Sequence, residues 1–406
     1  MRKPTAALDD ASVLVDAARY ARDGYPHDAW SVLRRNDPVS WCEPEGYRPF
    51  WAVTKHEDIK HVSGHPDLFH NAPRLTLLRT DLEPLAQGPS APRSLVNMDP
   101  PEHRDYRAVA APFFKPGAVR SLEARIREIA RALLARQPGG EEFDFATEVA
   151  ATHPLKVICS VLGAVEDDEP LVLRIANTVF GLEDPDYASQ FSALALEMME
   201  YYRRLKVDRL ARPTDDLYSA LVNAEVAGTP IGDVELVGYF LILTSAGHDT
   251  TRNAIAGGML ALLEHPDQME LLRQRPELCA SAADEIIRWT SPVIQFCRTA
   301  VVDVELAGRS VAAGESLALF YPSGNRDEDV FDEPFAFRVD RDPNPHLAFG
   351  FGEHYCLGAH LARLEIQVLL EEIVAAGGAV ELAGPPERTA ASFVGGVKHL
   401  PIRWRR

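Results

Sequence analysis

The chain has 406 residues, of which 46% are hydrophobic and 25% charged. That balance supports a large buried core and argues against wholesale disorder. Its 42 Lys and Arg against 60 Asp and Glu give a formal net charge of -18, a surface that repels phosphate backbones and disfavours nucleic-acid binding.

The five cysteines, Cys42, Cys159, Cys279, Cys297 and Cys356, show no CxxC and no finger-like spacing. A sparse, odd set of this kind suits a reduced, cytoplasmic chain rather than a disulfide-stapled one. The opening MRKPTAALDD lacks the apolar centre of a signal peptide. No run of about 20 apolar residues occurs, so no membrane span is expected.

In chain order, residues 50–54 read as a short strand. A loop-prone stretch, 71–101, follows, with Asn71, Pro73, Gly88, Pro89, Pro92, Pro100 and Pro101. Residues 118–136 carry a helical stripe of Val119, Leu122, Ile126, Ile129 and Leu133, with Arg120, Glu123, Arg127 and Arg131 turned to water. Residues 234–265 form the longest helical candidate, with Asp233 as N-cap and Pro266 as stop. At 1.5 Å per residue it would run ~48 Å and cross the molecule. Its middle reads Ala246-Gly247-His248-Asp249-Thr250-Thr251. Gly and paired Thr are poor helix-interior residues, and a carboxylate there is costly to bury. A local rule broken at the centre of a fold points to function. A helix at 280–289, strands at 301–306 and 316–320, a Pro-rich loop at 325–345 and a helix at 357–376 complete the chain.

The most specific signal is Phe349-Gly350-Phe351-Gly352-Glu353-His354-Tyr355-Cys356-Leu357-Gly358. It sets a cysteine between a Gly-rich loop and a helix N-terminus, a place that favours a thiolate. Gly350, Gly352 and Gly358 let backbone approach something flat and bulky. The other four cysteines fit the ordinary fate of a lone Cys, a buried apolar residue.

This block resembles the haem-binding loop of the cytochrome P450 superfamily, FxxGxHxCxG, and four further family motifs occur in order. Met98-Asp99-Pro100-Pro101-Glu102-His103-Arg104-Asp105-Tyr106-Arg107 looks like the start of a helix beside the haem. His103 and Arg107, at i and i+4, share one face. The segment 246–251 is similar to the family's oxygen-activation segment, with Asp249 and Thr250 as the acid–alcohol pair in a widened helix turn. Glu285-Ile286-Ile287-Arg288 matches ExxR, whose i, i+3 spacing suits a bidentate pair, and Arg341 matches the residue that completes it. Arg298 and His354 match further propionate contacts.

The resemblance implies the cytochrome P450 fold: mainly α with small β-sheets (α+β), a long central helix lying over a haem. It implies one domain over 1–406, a helix-rich core with a smaller β-containing region near the N-terminus and after residue 290. It implies haem b with Cys356 as the iron's ligand. Phe349, Gly350, His103, Arg107, Arg298 and His354 would be further cofactor contacts, and Asp249 and Thr250 the catalytic pair. The implied activity is insertion of one oxygen atom of O2 into a C–H bond of a hydrophobic small molecule, with a leaning to steroids, terpenoids or fatty chains. The implied pocket draws on residues 71–95, Val179, Phe180, Leu243, Ala246, Val293, Ile294, Phe393 and Val394. The chain carries no flavin fingerprint and no iron–sulfur cysteine set. Electrons would therefore come from a ferredoxin and its NAD(P)H-dependent reductase, docking near Arg104, Lys115, Arg120, Arg125 and Arg363. The rival readings are a haem-thiolate peroxygenase or isomerase, and a non-enzymatic haem sensor. Retention of Asp249 and Thr250 weighs against both.

Overall fold

The computed structural model describes residues 8, 10–84, 93–180, 183, 184, 186 and 191–405, without the side chains of 180, 191–193 and 195. Residues 85–92 of the expected pocket loop, and the Phe180 side chain, lie outside the described residues. The helices that position the site are α1 (Glu102–Ala110), α2 (Glu123–Arg136), α3 (Thr152–Leu162), α4 (Glu169–Phe180), α5 (Asp233–Glu264), α6 (Cys279–Thr290) and α7 (Ala359–Ala376). The strands are β1 (Val39–Cys42), β2 (Phe50–Val53), β3 (Phe69–His70), β4 (Gln295–Ala300) and β5 (Ser316–Phe320).

Helix α5 runs unbroken for 32 residues and packs against α3, α4, α6 and α7. Its N-cap is Gly232, not Asp233. Asp233 and Glu235 sit in the first turn, where acidic groups favour the helix dipole. Glycine inside a helix costs up to about 1 kcal/mol, and packing offsets it here. A Cβ on Gly258 would stand 2.6 Å from Ile286 of α6, and one on Gly247 2.8 Å from Ile158 of α3. The two ends of α5 enter different cores. Leu236, Tyr239, Phe240 and Leu243 join the cluster that includes α3. Ala254, Ile255, Met259 and Leu260 join the one that includes α6 and α7. The polar middle lies between them.

The helix expected over 118–136 is two, Pro116–Ser121 and α2, broken at Leu122. Arg127 is not simply turned to water. It reaches Glu371 at 2.7 Å and Glu372 at 2.9 Å, tying α2 to α7.

A five-stranded sheet has the order β1-β2-β5-β4-β3. The β2–β5 pair is parallel and the others antiparallel. It joins the N-terminal strands to those after residue 290, and the register Leu317↔Arg298 places Arg298 in it. Strand β4 was not expected as a strand: it is buried on both faces and shows no clean alternation. The strand expected over 301–306 is shorter, Val304–Leu306, paired with Arg309–Val311. A second sheet pairs Pro401–Arg405 with Ala379–Leu382 and Glu142–Asp144, bringing a strand into the helical half. Among the described residues, no helix is long and apolar enough to cross a membrane.

Candidate active site

The loop before α7 folds back on itself. The Cys356 backbone N–H donates to the Phe349 carbonyl at 2.8 Å, and Gly350 adopts φ +71°, a conformation open mainly to glycine. Gly352, at φ +75°, has a different task from the one expected. A Cβ there would stand 2.4 Å from the Ser63 carbonyl oxygen, so it lets the loop seat on the helix His56–Gly64. Gly358 does face open space, with nothing within 4 Å of a Cβ.

Cys356 lies on the wall of a cavity of about 610 Å³. Burial pushes its thiol above the ordinary range, while the Gly358 N–H, Arg107 and Arg363 pull it back. The N–H at the start of the helix and two guanidiniums thus act in the thiolate-favouring direction expected from the sequence, against the cost of burial. The other four cysteines are buried and free. Burial drives Cys42, Cys159 and Cys297 up to about 12, and Cys279 to about 11.

His103, Arg107, Arg298 and His354 all line the same cavity. The His103 and His354 rings stack with centroids 4.0 Å apart. His103 and Arg107 come from one face of α1, Arg298 from β4. Arg107 donates to the Tyr355 carbonyl at 2.7 Å and Arg298 to the Cys297 carbonyl at 2.8 Å, so each guanidinium is aimed by backbone. Burial, then His103 and the two arginines, hold the His354 imidazole far below its usual range. Two supporting residues were missed from sequence. Asn71 meets His354 Nδ1 at 3.3 Å, and Glu353 accepts from Arg104 at 2.9 Å and faces His103 at 3.3 Å.

Thr250 reaches the cavity wall from α5. Its hydroxyl donates to the Ala246 carbonyl at 2.9 Å. The helix is α-helical throughout 246–251, without the widened turn expected there. Asp249 does not line the cavity. It is 8% exposed, and its nearest cation is Arg252 at 3.6 Å. Burial pushes its carboxyl up to about 6, with Arg252 pulling partly back. The i, i+3 spacing of Asp249 and Arg252 was legible but not read.

Glu285 and Arg288 are fully buried and joined by two bonds of 2.7 Å. Arg341 reaches the same carboxylate at 3.1 Å and Asn344 at 3.2 Å. Next to it, Asp284 binds Arg363 at 2.7 Å and faces His346 at 3.1 Å. The Arg363 guanidinium lies 4.6 Å over the Phe349 ring, so the network reaches the cysteine loop.

Of the expected pocket residues, Asn71, Val179, Leu243, Ala246, Val293 and Phe393 are on the cavity wall, as is Val394. Ile294 is not: it is fully buried in the core that holds Trp30 and Phe320.

These residues fit a flat apolar group carrying carboxylates. The His354 Nε2 is buried without a hydrogen-bond partner, beside two cavity-facing guanidiniums, and such a donor wants an anionic acceptor. A sulfur and the open space at Gly358 stand on the same wall.

Comparison with known proteins gives the same answer. Residues 186–376 match the family model "Cytochrome P450". The chain is 38% identical to Cytochrome P450-terp of a Pseudomonas species, over 95% of each chain. It is 37% identical to a methyl-branched lipid omega-hydroxylase of Mycobacterium bovis, over 94% of this chain and 91% of that one. The crystal structure of CYP108D1 from Novosphingobium aromaticivorans superposes with a TM-score of 0.90 at 37% identity, covering 97% of both chains. Matched along nearly its whole length, and with a cysteine, a donor cluster and a central helix around one cavity, the chain belongs to the cytochrome P450 family of O2-dependent monooxygenases, which carry haem b on a cysteine thiolate.

Proposed function

We propose that this chain inserts one oxygen atom of O2 into a C–H bond of a terpenoid, steroid or fatty-chain substrate, as a single domain over 1–406. The carrying observation is the cavity itself: Cys356 and Thr250 share its wall, and the remainder is mostly apolar, as a hydrophobic ligand requires. The names of the relatives, P450-terp and a methyl-branched lipid omega-hydroxylase, support the substrate class.

In this reading Cys356 holds the haem iron. Arg107, Arg298, His103 and His354 hold its carboxylates, and Phe349 and Gly350 shape the loop beside the sulfur. Haem b on a thiolate supplies oxygen activation and C–H oxidation when bound. The chain's own task is to exclude water and deliver protons. Asp249, its carboxyl pushed up to about 6 by burial, takes up and releases a proton behind the wall at Oδ. Thr250 presents its Oγ1 at the wall. Arg252 positions Asp249.

Electrons come from a separate ferredoxin and its NAD(P)H-dependent reductase. Of the cations expected to dock it, Arg104 is engaged by Glu353, Arg363 by Asp284 and Arg125 by Glu128. Lys115 and Arg120 are exposed and, among the described residues, in no ion pair. They sit at the helix Pro116–Ser121, which packs on α7. Free cysteines support a cytoplasmic setting.

The test is Thr250→Ala. The variant keeps haem but diverts reducing equivalents from product to hydrogen peroxide. Unchanged coupling of NAD(P)H use to product removes Thr250 from the mechanism.

A further inference from the structure

One polar group on the cavity wall has no part in the reading above. Glu183, just beyond α4, lines the cavity beside Val179, Phe393 and Val394. Its carboxyl is gripped from one side by Ser392. The Ser392 backbone N–H donates to Oε2 at 2.6 Å, and its hydroxyl lies 3.0 Å from Oε1 and 2.9 Å from Oε2. Ser392 is 1% exposed, and the turn that carries it is fixed in place. The Ile294 N–H donates to the Phe393 carbonyl at 2.8 Å and the Gly395 N–H to the Pro292 carbonyl at 2.9 Å. Val293 and Val394 form an isolated β-bridge. Glu183 is thus held on a rigid support, as a recognition group must be.

Ser392 has two hydrogens to give, and a carboxyl offers about four acceptor positions. About two remain. Among the described residues Glu183 is in no ion pair: burial raises its carboxyl and Ser392 pulls it back. The cavity's guanidiniums, Arg107 and Arg298, do not act on it. A hydrocarbon seated here leaves the spare acceptors unpaired, a substrate hydroxyl satisfies one, and a carboxylate has no hydrogen to give them.

We infer that Glu183, oriented by Ser392, is a specificity-determining residue that accepts a hydrogen bond from the substrate, so that the chain takes hydrophobic alcohols over the matching hydrocarbons and excludes the matching carboxylates. The inference rests on the hydrophobic-substrate reading above and narrows it.

The test uses the haem-loaded protein and three probes of one skeleton: dodecan-1-ol, dodecane and dodecanoate, each titrated at one fixed pH and followed by the shift in haem absorption. The wild type binds dodecan-1-ol about tenfold more tightly than dodecane, the worth of one good hydrogen bond, and dodecanoate most weakly. Glu183→Gln brings dodecanoate to within about threefold of the alcohol, because an amide both accepts and donates and bears no charge. Ser392→Ala, which keeps Glu183 but frees it, narrows the alcohol–hydrocarbon gap. If Glu183 only fastened the chain to the 392 turn, substitution would move all three affinities together. That outcome, or a wild type that binds dodecanoate as tightly as dodecan-1-ol, overturns the assignment and leaves the hydrophobic-substrate reading intact. If none of the three binds, that reading fails and takes this inference with it.

Discussion

The two sides of the cavity are held by different physics. On the cysteine side, one carboxylate, Glu285, collects Arg288, Arg341, Asn344 and the backbone N–H of Arg338. Both Glu285 oxygens are engaged, Oε1 by Arg288 and the Arg338 N–H and Oε2 by Arg288, Arg341 and Asn344. On the opposite side the wall is largely apolar, with Leu243, Ala246, Val179, Val293 and Phe393, and its polar side chains, among them Thr178, Ser245, Thr250, Thr251 and Glu183, are spread between them. A buried charge network tolerates the loss of a partner poorly, because the remaining charge is left undercompensated. An apolar wall accepts any side chain of similar volume. The first region can therefore serve one cofactor unchanged, while the second can be refitted to each substrate.

The sharpest break in that comparison comes from the sulfur. Cys356→Ser abolishes the red-shifted carbon monoxide absorption of a sulfur-ligated haem, and turnover with it. A variant that keeps the signal places the ligand elsewhere.

Next in size is Arg288→Ala. It removes two of the bonds to a fully buried Glu285 and leaves Arg341 as its one remaining cation among the described residues. Breaking a buried pair costs about 3–5 kcal/mol, a large share of an ordinary folding stability of roughly 5–15 kcal/mol. Urea unfolding and the yield of haem-loaded protein both report it. Leu243→Met on the opposite wall, a swap that conserves volume, costs under about 1.5 kcal/mol. Equal losses for the two variants would erase the distinction between the sides.

Asp249 stands behind the apolar wall and titrates. Its folded carboxyl is near 6 against an ordinary 3.8, so the folded protein holds a proton that the unfolded chain has already released. Stability from this group is greatest below about pH 4, falls as pH rises to about 6 and stays low above it, by up to ~3 kcal/mol. Asp249→Asn cannot titrate. The unfolding midpoint of wild type relative to this variant therefore drops between about pH 4 and pH 7. A constant difference across that range would mean that Asp249 is solvated in the folded protein.

The same contrast explains what the sequence disclosed. The cysteine loop was legible in its own residues, and the ExxR pair and the donors His103, Arg107, Arg298 and His354 through the run of motifs that resembles the family, since fixed chemistry demands fixed residue types at fixed spacing. Partners distant in the chain were not. Asn71 lies 283 positions from His354, and Glu183 lies 209 from Ser392. No local pattern encodes such pairs; only the folded chain brings them together. Element boundaries failed where burial overrode periodicity, as in β4, which is covered on both faces. They failed too by one residue at the start of α5, where Gly232 and not Asp233 is the N-cap.

The smallest expected effect concerns the outer surface on the cysteine side. The chain carries a net charge of -18, so an acidic electron donor is repelled overall and must be drawn in by a local patch. Arg104 is 66% exposed and already paired with Glu353. Arg104→Ala costs about 0.2–1 kcal/mol of stability, less at high salt, and frees Glu353 for His103, so the haem absorption does not change. Lys115 and Arg120 are exposed and unpaired among the described residues, so their charge is available to a partner. The double change Lys115→Glu and Arg120→Glu leaves the unfolding midpoint within about 0.5 kcal/mol. With a ferredoxin as the proposed donor, it raises the KM for that donor about fivefold at low salt and little at high salt, as a rim charge acting mainly on encounter does. The reverse pattern, with Arg104→Ala raising KM and the double change leaving it alone, would show that the donor docks over the Glu353 pair instead, beside the His103–His354 stack rather than at the helix Pro116–Ser121.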